Sequence, residues 1–114
     1  MLGSESEFPI ISIVDNLLAH AIIKSASDIH FEPLEDQLRV RLRIDGVLYD
    51  HDPVNQKIMQ QMIARLKVLA SINIAEKRVP QDGKFRIMRD GHEVDLRVST
   101  FPTIYGEKVV VRIL

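Results

Sequence analysis

From Leu38 to Ile44 apolar and basic residues alternate without a miss. Period two is the mark of a half-buried strand, whose successive side chains leave on opposite faces. Leu38, Val40, Leu42 and Ile44 therefore point into a core, and Arg39, Arg41 and Arg43 point out. Next-but-one side chains on a strand stand roughly 6.5–7 Å apart. Three guanidiniums at that spacing repel one another unless an anion meets them.

The rest of the chain reads as elements around this strand. Pro9 suits the first turn of a helix, where its missing N–H costs nothing. Ile10, Ile13, Val14, Leu17, Leu18, Ala21 and Ile22 then keep helical spacing to about Lys24. Residues 1–8 read as a loosely ordered leader or linker. Asp28–Glu32 alternates as a strand with Ile29 and Phe31 inward, ended by Pro33. Asp45-Gly46 is a hairpin dipeptide, and Val47–Tyr49 begins the return. Asp52-Pro53 reads as a helix start, with Ile58, Met59, Met62, Ile63, Leu66 and Leu69 as the apolar stripe. Arg65 and Lys67 are expected off that stripe. Residues 72–81 read as a structured connection closing in a turn at Val79–Gly83. Lys84–Met88 and Glu93–Ser99 form a hairpin around Asp90-Gly91. After Phe101-Pro102 and a turn at Tyr105-Gly106, Glu107–Leu114 is a last β-branched strand. Ending in mid-strand suggests a domain cut from a longer protein. The order α-β-β-β-α-β-β-β with hairpin turns predicts an α+β fold, an antiparallel sheet with two amphipathic helices on one face.

Composition narrows the chemistry. A chain of 114 residues makes one domain. No apolar run nears the roughly 20 residues of a membrane span, and the N-terminus lacks the basic and apolar regions of a signal peptide. The absence of cysteine excludes disulfides and thiol catalysis and fits the cytosol. The net charge of −1 says nothing by itself, so any anion site must come from the arrangement of charge. Alternation puts Asp28, His30, Glu32, Arg39, Arg41, Arg43, Lys84, Arg86, Asp95, Arg97, Lys108 and Arg112 on the outer face of the sheet. Bases outnumber acids there. Some arginines will pair with Asp28, Glu32 and Asp95. The rest are expected to meet phosphate or a partner's carboxylates, for which the guanidinium fork is suited.

Other chemistry finds less support. Neither G-x-x-x-x-G-K-[ST] nor G-x-G-x-x-G occurs. Asp28, His30 and Glu32 share a strand face and could begin a metal site, but a salt-bridged surface explains them as well and no metal is expected. With aromatics at 5% and Phe31 and Phe85 inward, the stacking platforms of a nucleic-acid binder are missing.

Five stretches carry a resemblance: Ala26–Pro33, Arg41–Leu48, Ile74–Phe85, Val94–Thr100 and Gly106–Arg112. In this order and spacing they resemble the bacterial type II secretion and type IV pilus assembly ATPases, over residues 9–114. The match is to one part of them, the PAS-like regulatory domain that precedes the RecA-like motor domain. The resemblance implies a hexamer at the cytoplasmic side of the inner membrane, working with an inner-membrane platform protein. It implies ATP and magnesium held mainly by the motor domain, so that this domain alone does not hydrolyse ATP. It also implies that the domain closes over the nucleotide and packs on a neighbouring subunit. The Arg-x-Arg-x-Asp-Gly strand supplies Arg41, the first choice for a phosphate contact, and Arg43, the second. Gln56 and Lys57 stand where some relatives carry a further arginine. Arg97 and Arg112 match family positions and, with Arg78, are expected at the nucleotide or an inter-domain surface, as is the Glu76–Gly83 stretch. Two alternatives stay open. One is a free-standing PAS-like sensor of a small anionic ligand; the other is an interaction module whose arginines meet acidic residues.

Overall fold

The structure is a computed structural model that describes the backbone of residues 2–114 and the side chains of residues 9–114. Helix α1 spans Leu2–Ile23, followed by β1 (Asp28–Pro33), β2 (Gln37–Ile44), β3 (Val47–Asp50) and β4 (Val54–Asn55). Helix α2 spans Gln56–Leu69, and β5 (Gln81–Arg89), β6 (His92–Thr103) and β7 (Gly106–Ile113) complete the chain. This is the expected α+β order with one short strand added. All pairings are antiparallel, in the order β3-β2-β1-β7-β6-β5, with β4 also on β2.

Alternation produces the core. Ile29 and Phe31 of β1, Leu38, Val40 and Leu42 of β2, Leu96 and Val98 of β6, and Val109 and Val111 of β7 are all buried. They form one cluster with Val14, Leu17, Leu18 and Ala21 of α1 and Met59, Met62 and Leu66 of α2. The β2–β3 and β5–β6 hairpins turn at their Asp-Gly pairs. Asp45 and Gly46 have φ of 51° and 79°, and Asp90 and Gly91 have φ of 51° and 78°. Positive φ at both central residues is what a two-residue hairpin with the sheet's own twist requires.

Five details differ from the pattern. Pro9 lies inside α1, not in its first turn, because the helix begins at Leu2 and is already formed over 2–8; Met1 lies outside the described residues. Its ring angle suits a helix, but Pro9 donates no hydrogen bond to the carbonyl four residues earlier and its ring crowds that carbonyl. The cap of α2 is Asn55, whose Oδ1 accepts from the N–H of Ile58 at 3.0 Å; Asp52-Pro53 lies before β4, which pairs with Gln37 and Leu38 first. The turn expected at Val79–Gly83 gives way at Gln81 to the start of β5. Strand β6 runs on through Phe101-Pro102, and the turn follows at Ile104-Tyr105. Finally, Lys67 is not off the stripe of α2 but 1% exposed. Its Nζ lies 2.6 Å from Oε1 of Glu107 on β7 and donates to the Glu76 carbonyl at 2.8 Å. Four residues beyond Ile63, it falls on the inward face by helical spacing, and the buried carboxylate makes its charge tolerable.

The sheet consists of two three-stranded runs, β3-β2-β1 and β7-β6-β5, joined through β1 and β7. Asp28 sits at that joint, in register with Arg43 on one side and Arg112 on the other. The sequence pattern puts it outward with its neighbours, but the two arginines cover it and leave it 4% exposed. Arg112 Nε donates to Oδ1 at 3.0 Å, Ser27 Oγ donates to Oδ2 at 3.0 Å, and Arg43 Nε stands 3.6 Å from Oδ2. Burial alone would raise this carboxyl, but the hydrogen bonds from Arg112 and Ser27 outweigh it and hold the group below its ordinary 3.8.

Two predictions concern stability. A carboxylate with a depressed folded pKa contributes stability that is present above its unfolded value and lost as pH falls through the folded one. The gap in urea stability between the native chain and Asp28→Asn should therefore be full above about pH 4 and close below 3.8. A gap constant from pH 6 to pH 2 would refute the assignment. At Gly83, a Cβ would run into the Ala70 carbonyl oxygen and approach Ile72 Cγ1 at 2.8 Å, because the end of α2 lies against β5. Overpacking against backbone costs typically about 1–3 kcal/mol, so Gly83→Ala should lower the urea midpoint accordingly, whereas Gly83→Ala with unchanged stability would show that the contact can relax.

Candidate functional site on the outer face of the sheet

The helices cover one face of the sheet; the other carries its polar residues. Register aligns them in rows across the strands. One row runs Leu48, Arg43, Asp28, Arg112, Arg97, Lys84. The next runs Asp50, Arg41, His30, Val110, Ser99, Asp82. With strands about 4.8 Å apart, Arg41 and Arg43 on β2 are neighbours of β1, while Arg97 on β6 lies three strand spacings from β2, roughly 14 Å.

The arginines of β2 are more fully paired than the count of charges foretold. Glu32 grips Arg41 at both oxygens: Nε donates to Oε1 at 2.7 Å and a terminal nitrogen to Oε2 at 3.0 Å. The same carboxylate receives Arg39 Nε at 3.3 Å. Burial would raise the Glu32 carboxyl, but the Arg41 and Arg39 hydrogen bonds prevail and hold it below its ordinary 4.5. In return the Glu32 bond raises the Arg41 guanidinium further. A guanidinium has five N–H groups, so Arg41 keeps three for another acceptor. Arg43 donates to the Gly46 carbonyl at 2.9 Å and shares Asp28 with Arg112. His30, between these pairs, has its pKa lowered, first by burial and then by Lys108, so it is neutral at neutral pH and adds no charge.

On the other half, Arg86 is held by Asp95 at 2.7 Å and by Glu93 at 3.1 Å. Glu93, two residues before Asp95, shares this face by alternation and adds an acid to Asp28, Glu32 and Asp95. Asp82 accepts from Ser99 Oγ at 2.6 Å. Lys84 and Arg97 stand directly opposite each other, and among the described residues neither has a carboxylate within 4.0 Å. Like charges facing across a strand pair repel.

The candidates thus separate into three places. Arg41 and Arg43 lie together on β2, and Arg112 and Arg97 lie side by side on β7 and β6. Arg78 is off the sheet, on the connection after α2, 88% exposed and paired with Glu76. Asp28 and Glu32, considered as metal ligands, are both engaged by arginines. What the face offers chemically is N–H donors for oxyanions: at Arg41 and Arg43, already aimed by carboxylates, and at Lys84 and Arg97.

Among the described residues no helix is long and apolar enough to cross a membrane. Residues 3–114 match the family model described as "Type II/IV secretion system protein". The chain is 49% identical over 109 residues to type II secretion system protein E of Xanthomonas campestris pv. campestris, covering 96% of this chain and 19% of that one. It is 47% identical over 115 residues to the type IV pilus assembly ATPase PilB of Myxococcus xanthus, covering 100% and 20%. It is 46% identical over 114 residues to type II secretion system ATPase E of Vibrio cholerae serotype O1, covering 100% and 23%. The chain spans about a fifth of the length of these curated relatives. It belongs to the type II/IV secretion system protein family.

Proposed function

We propose that this chain is the PAS-like regulatory domain of a hexameric ATPase that powers type II secretion or type IV pilus assembly, and that it lends arginines to the ATP phosphates when it closes over a motor domain. Two relatives are named as ATPases of such systems, which supports the reading. The observation that carries it is the state of Arg41. Its guanidinium is oriented by a bidentate carboxylate on a rigid strand of the sheet, yet three N–H groups remain for an incoming acceptor.

In this reading ATP and Mg sit mainly on the motor domain, and domain closure brings Arg41, then Arg43, to the terminal phosphates. Charge that spreads over the phosphoryl oxygens in the transition state is stabilised by a guanidinium already aimed at it. Glu32 and Asp28 supply the aim. Arg97, Arg112 and Arg78 serve inter-domain or inter-subunit contacts, Arg112 beside Arg43 on the shared Asp28 carboxylate. The inner-membrane platform protein and neighbouring subunits of the homohexamer are the partners, and the cytoplasmic side of the inner membrane is the place of work.

Arg41→Ala in the full-length ATPase should lower turnover about 10²-fold, the scale of losing one preorganised donor to a transition-state oxyanion, while the isolated domain, which keeps Arg39 on Glu32, stays folded and loses no more than about 1–3 kcal/mol. Native turnover in that variant would remove Arg41 from the site. A phosphate contact without its motor domain should also bind ATP no tighter than about millimolar, or about −4 kcal/mol, in calorimetry of the 114-residue chain. A micromolar affinity would favour the free-standing anion sensor instead.

A further inference from the structure

Two arginines of different purpose share one buried acid on the outer face. Asp28 lies between Arg43 of β2 and Arg112 of β7, with its side chain 5% exposed. The two arginines are not equally bound to it. Arg112 Nε donates to Oδ1 at 3.0 Å. Arg43 Nε stands 3.6 Å from Oδ2, outside hydrogen-bond reach, and Arg43 bonds instead from a terminal nitrogen to the Gly46 carbonyl at 2.9 Å. The acid itself is fixed. Oδ2 accepts from Ser27 Oγ at 3.0 Å, and the Ser27 backbone is tied to both flanking strands, by its N–H to the Arg43 carbonyl and by its carbonyl to the Ile113 N–H. What can change is which arginine satisfies the carboxylate.

A buried carboxylate needs a cationic donor, because leaving it unpaired carries the full cost of its desolvation. Arg112 is that donor, yet its side chain is 64% exposed and keeps four N–H groups for another acceptor. It also faces Arg97 directly across the strand pair, and among the described residues Arg97 has no carboxylate within 4.0 Å. Two cations side by side attract an acidic contact. An acid that draws Arg112 toward itself takes the donor from Oδ1. His30, on the same strand face, is neutral at neutral pH and cannot stand in. Arg43 is then the nearest cation, and a move of about 0.6 Å brings its Nε from 3.6 Å to the roughly 3.0 Å of a good bond. That move pulls against the Gly46 bond that, with Asp28, sets the direction of the guanidinium. Conversely, an anion that takes Arg43 leaves Asp28 to Arg112 alone. Coupling between two binding events is reciprocal.

We propose that Asp28 is a positioning residue that couples the two contacts negatively: an acidic group engaging Arg112 draws Arg43 onto Asp28 and away from a phosphate, and a phosphate at Arg43 holds Arg112 on Asp28. The functional half rests on the reading of Arg43 as a phosphate contact; the exchange of partners at Asp28 does not. Phosphate capture on β2 and the inter-domain contact on β7 thereby weaken each other through one buried acid.

Arginine Nε–H exchange, followed by NMR on the 114-residue chain, tests the exchange of partners without any motor domain. In the native chain the Arg112 Nε–H should be protected and the Arg43 Nε–H open to solvent. Arg112→Leu keeps an aliphatic stem and removes every donor. It should slow exchange at the Arg43 Nε–H at least about tenfold, and adding Asp28→Asn should restore the native rate. An unchanged Arg43 rate in Arg112→Leu overturns the proposal, and this arm decides by itself if the Asp28→Asn chain does not fold. Protection that survives Asp28→Asn overturns it too, because Arg43 would then have found another acceptor. Turnover of the full-length ATPase tests the functional half, with Arg43→Leu, Arg112→Leu and both together. Their effects should depart from a simple product by at least about fivefold, and the departure should vanish in the Asp28→Asn background. Effects that multiply in the native background overturn the coupling. Native turnover in Arg43→Leu, with the Arg43 Nε–H still protected in Arg112→Leu, removes the phosphate reading and upholds the exchange at Asp28.

Discussion

One buried carboxylate holds the two halves of the sheet in register. The run β3-β2-β1 and the run β7-β6-β5 are each built from near neighbours in sequence, and each could form by local hairpin closure. Their joint is not local: β1 and β7 lie at opposite ends of the described strands and pair over only four positions. Asp28 opens that pairing and is hydrogen-bonded across it by Arg112, while Arg43 approaches from the other flank. Without the carboxylate, Arg43 and Arg112 would confront each other across a spacer with no charge. With it, a slip of one residue between β1 and β7 would bury an unpaired charge and turn every apolar side chain to the wrong face. Whatever meets Arg41 and Arg97 meets them at a separation that this joint sets.

The opposite face has its own counterpart. Lys67 and Glu107 tie α2 to β7, and Lys67 also secures the carbonyl of Glu76 in a connection that has no regular structure. Gln81 completes the anchoring, donating from Nε2 to the carbonyls of Asn73 and Glu76. The connection between α2 and β5 is thereby held by polar contacts where apolar packing is thin. A buried ion pair is a weak source of net stability, because desolvating both charges offsets their attraction. Its value here is positional: it is satisfied in only one placement of helix, strand and connection.

The local parts of this fold were legible and the non-local parts were not, for a physical reason. Period-two alternation identified the inward residues of β1, β2 and β7, since a strand with one buried face must alternate. Asp-Gly at the β2–β3 and β5–β6 turns was legible because few dipeptides accept two consecutive positive φ values. The cap at Asn55 was missed because a two-residue strand intervenes after Asp52, and that strand exists only through its pairing with β2. The burial of Asp28 and the grip of Glu32 on Arg41 depend on which strands become neighbours, which alternation does not encode. Lys67 and Glu107 were each readable as inward, one by helical spacing from Ile63 and the other by alternation with Val109. Charge argued against burying either one alone, and only their meeting in space removes the objection.

The same reasoning bears on why pairing does not disqualify Arg41 as a phosphate ligand. A free arginine on a surface samples many rotamers and loses that freedom when it binds. Arg41 has already lost it to Glu32, so a phosphate arriving at its open edge meets a guanidinium whose plane and direction are set. The carboxylate lowers the local positive charge, which weakens the pull on a distant anion, but it leaves the directed N–H donors intact. That trade suits a contact made only when a second domain delivers the phosphate, because attraction from solution is then unnecessary and orientation is what remains to be supplied. Lys84 and Arg97 show the reverse balance, with no carboxylate among the described residues to compensate their charge or direct their side chains. The face therefore combines an aimed site on β2 with a field on β5 and β6, and a close, geometrically demanding contact belongs on the first.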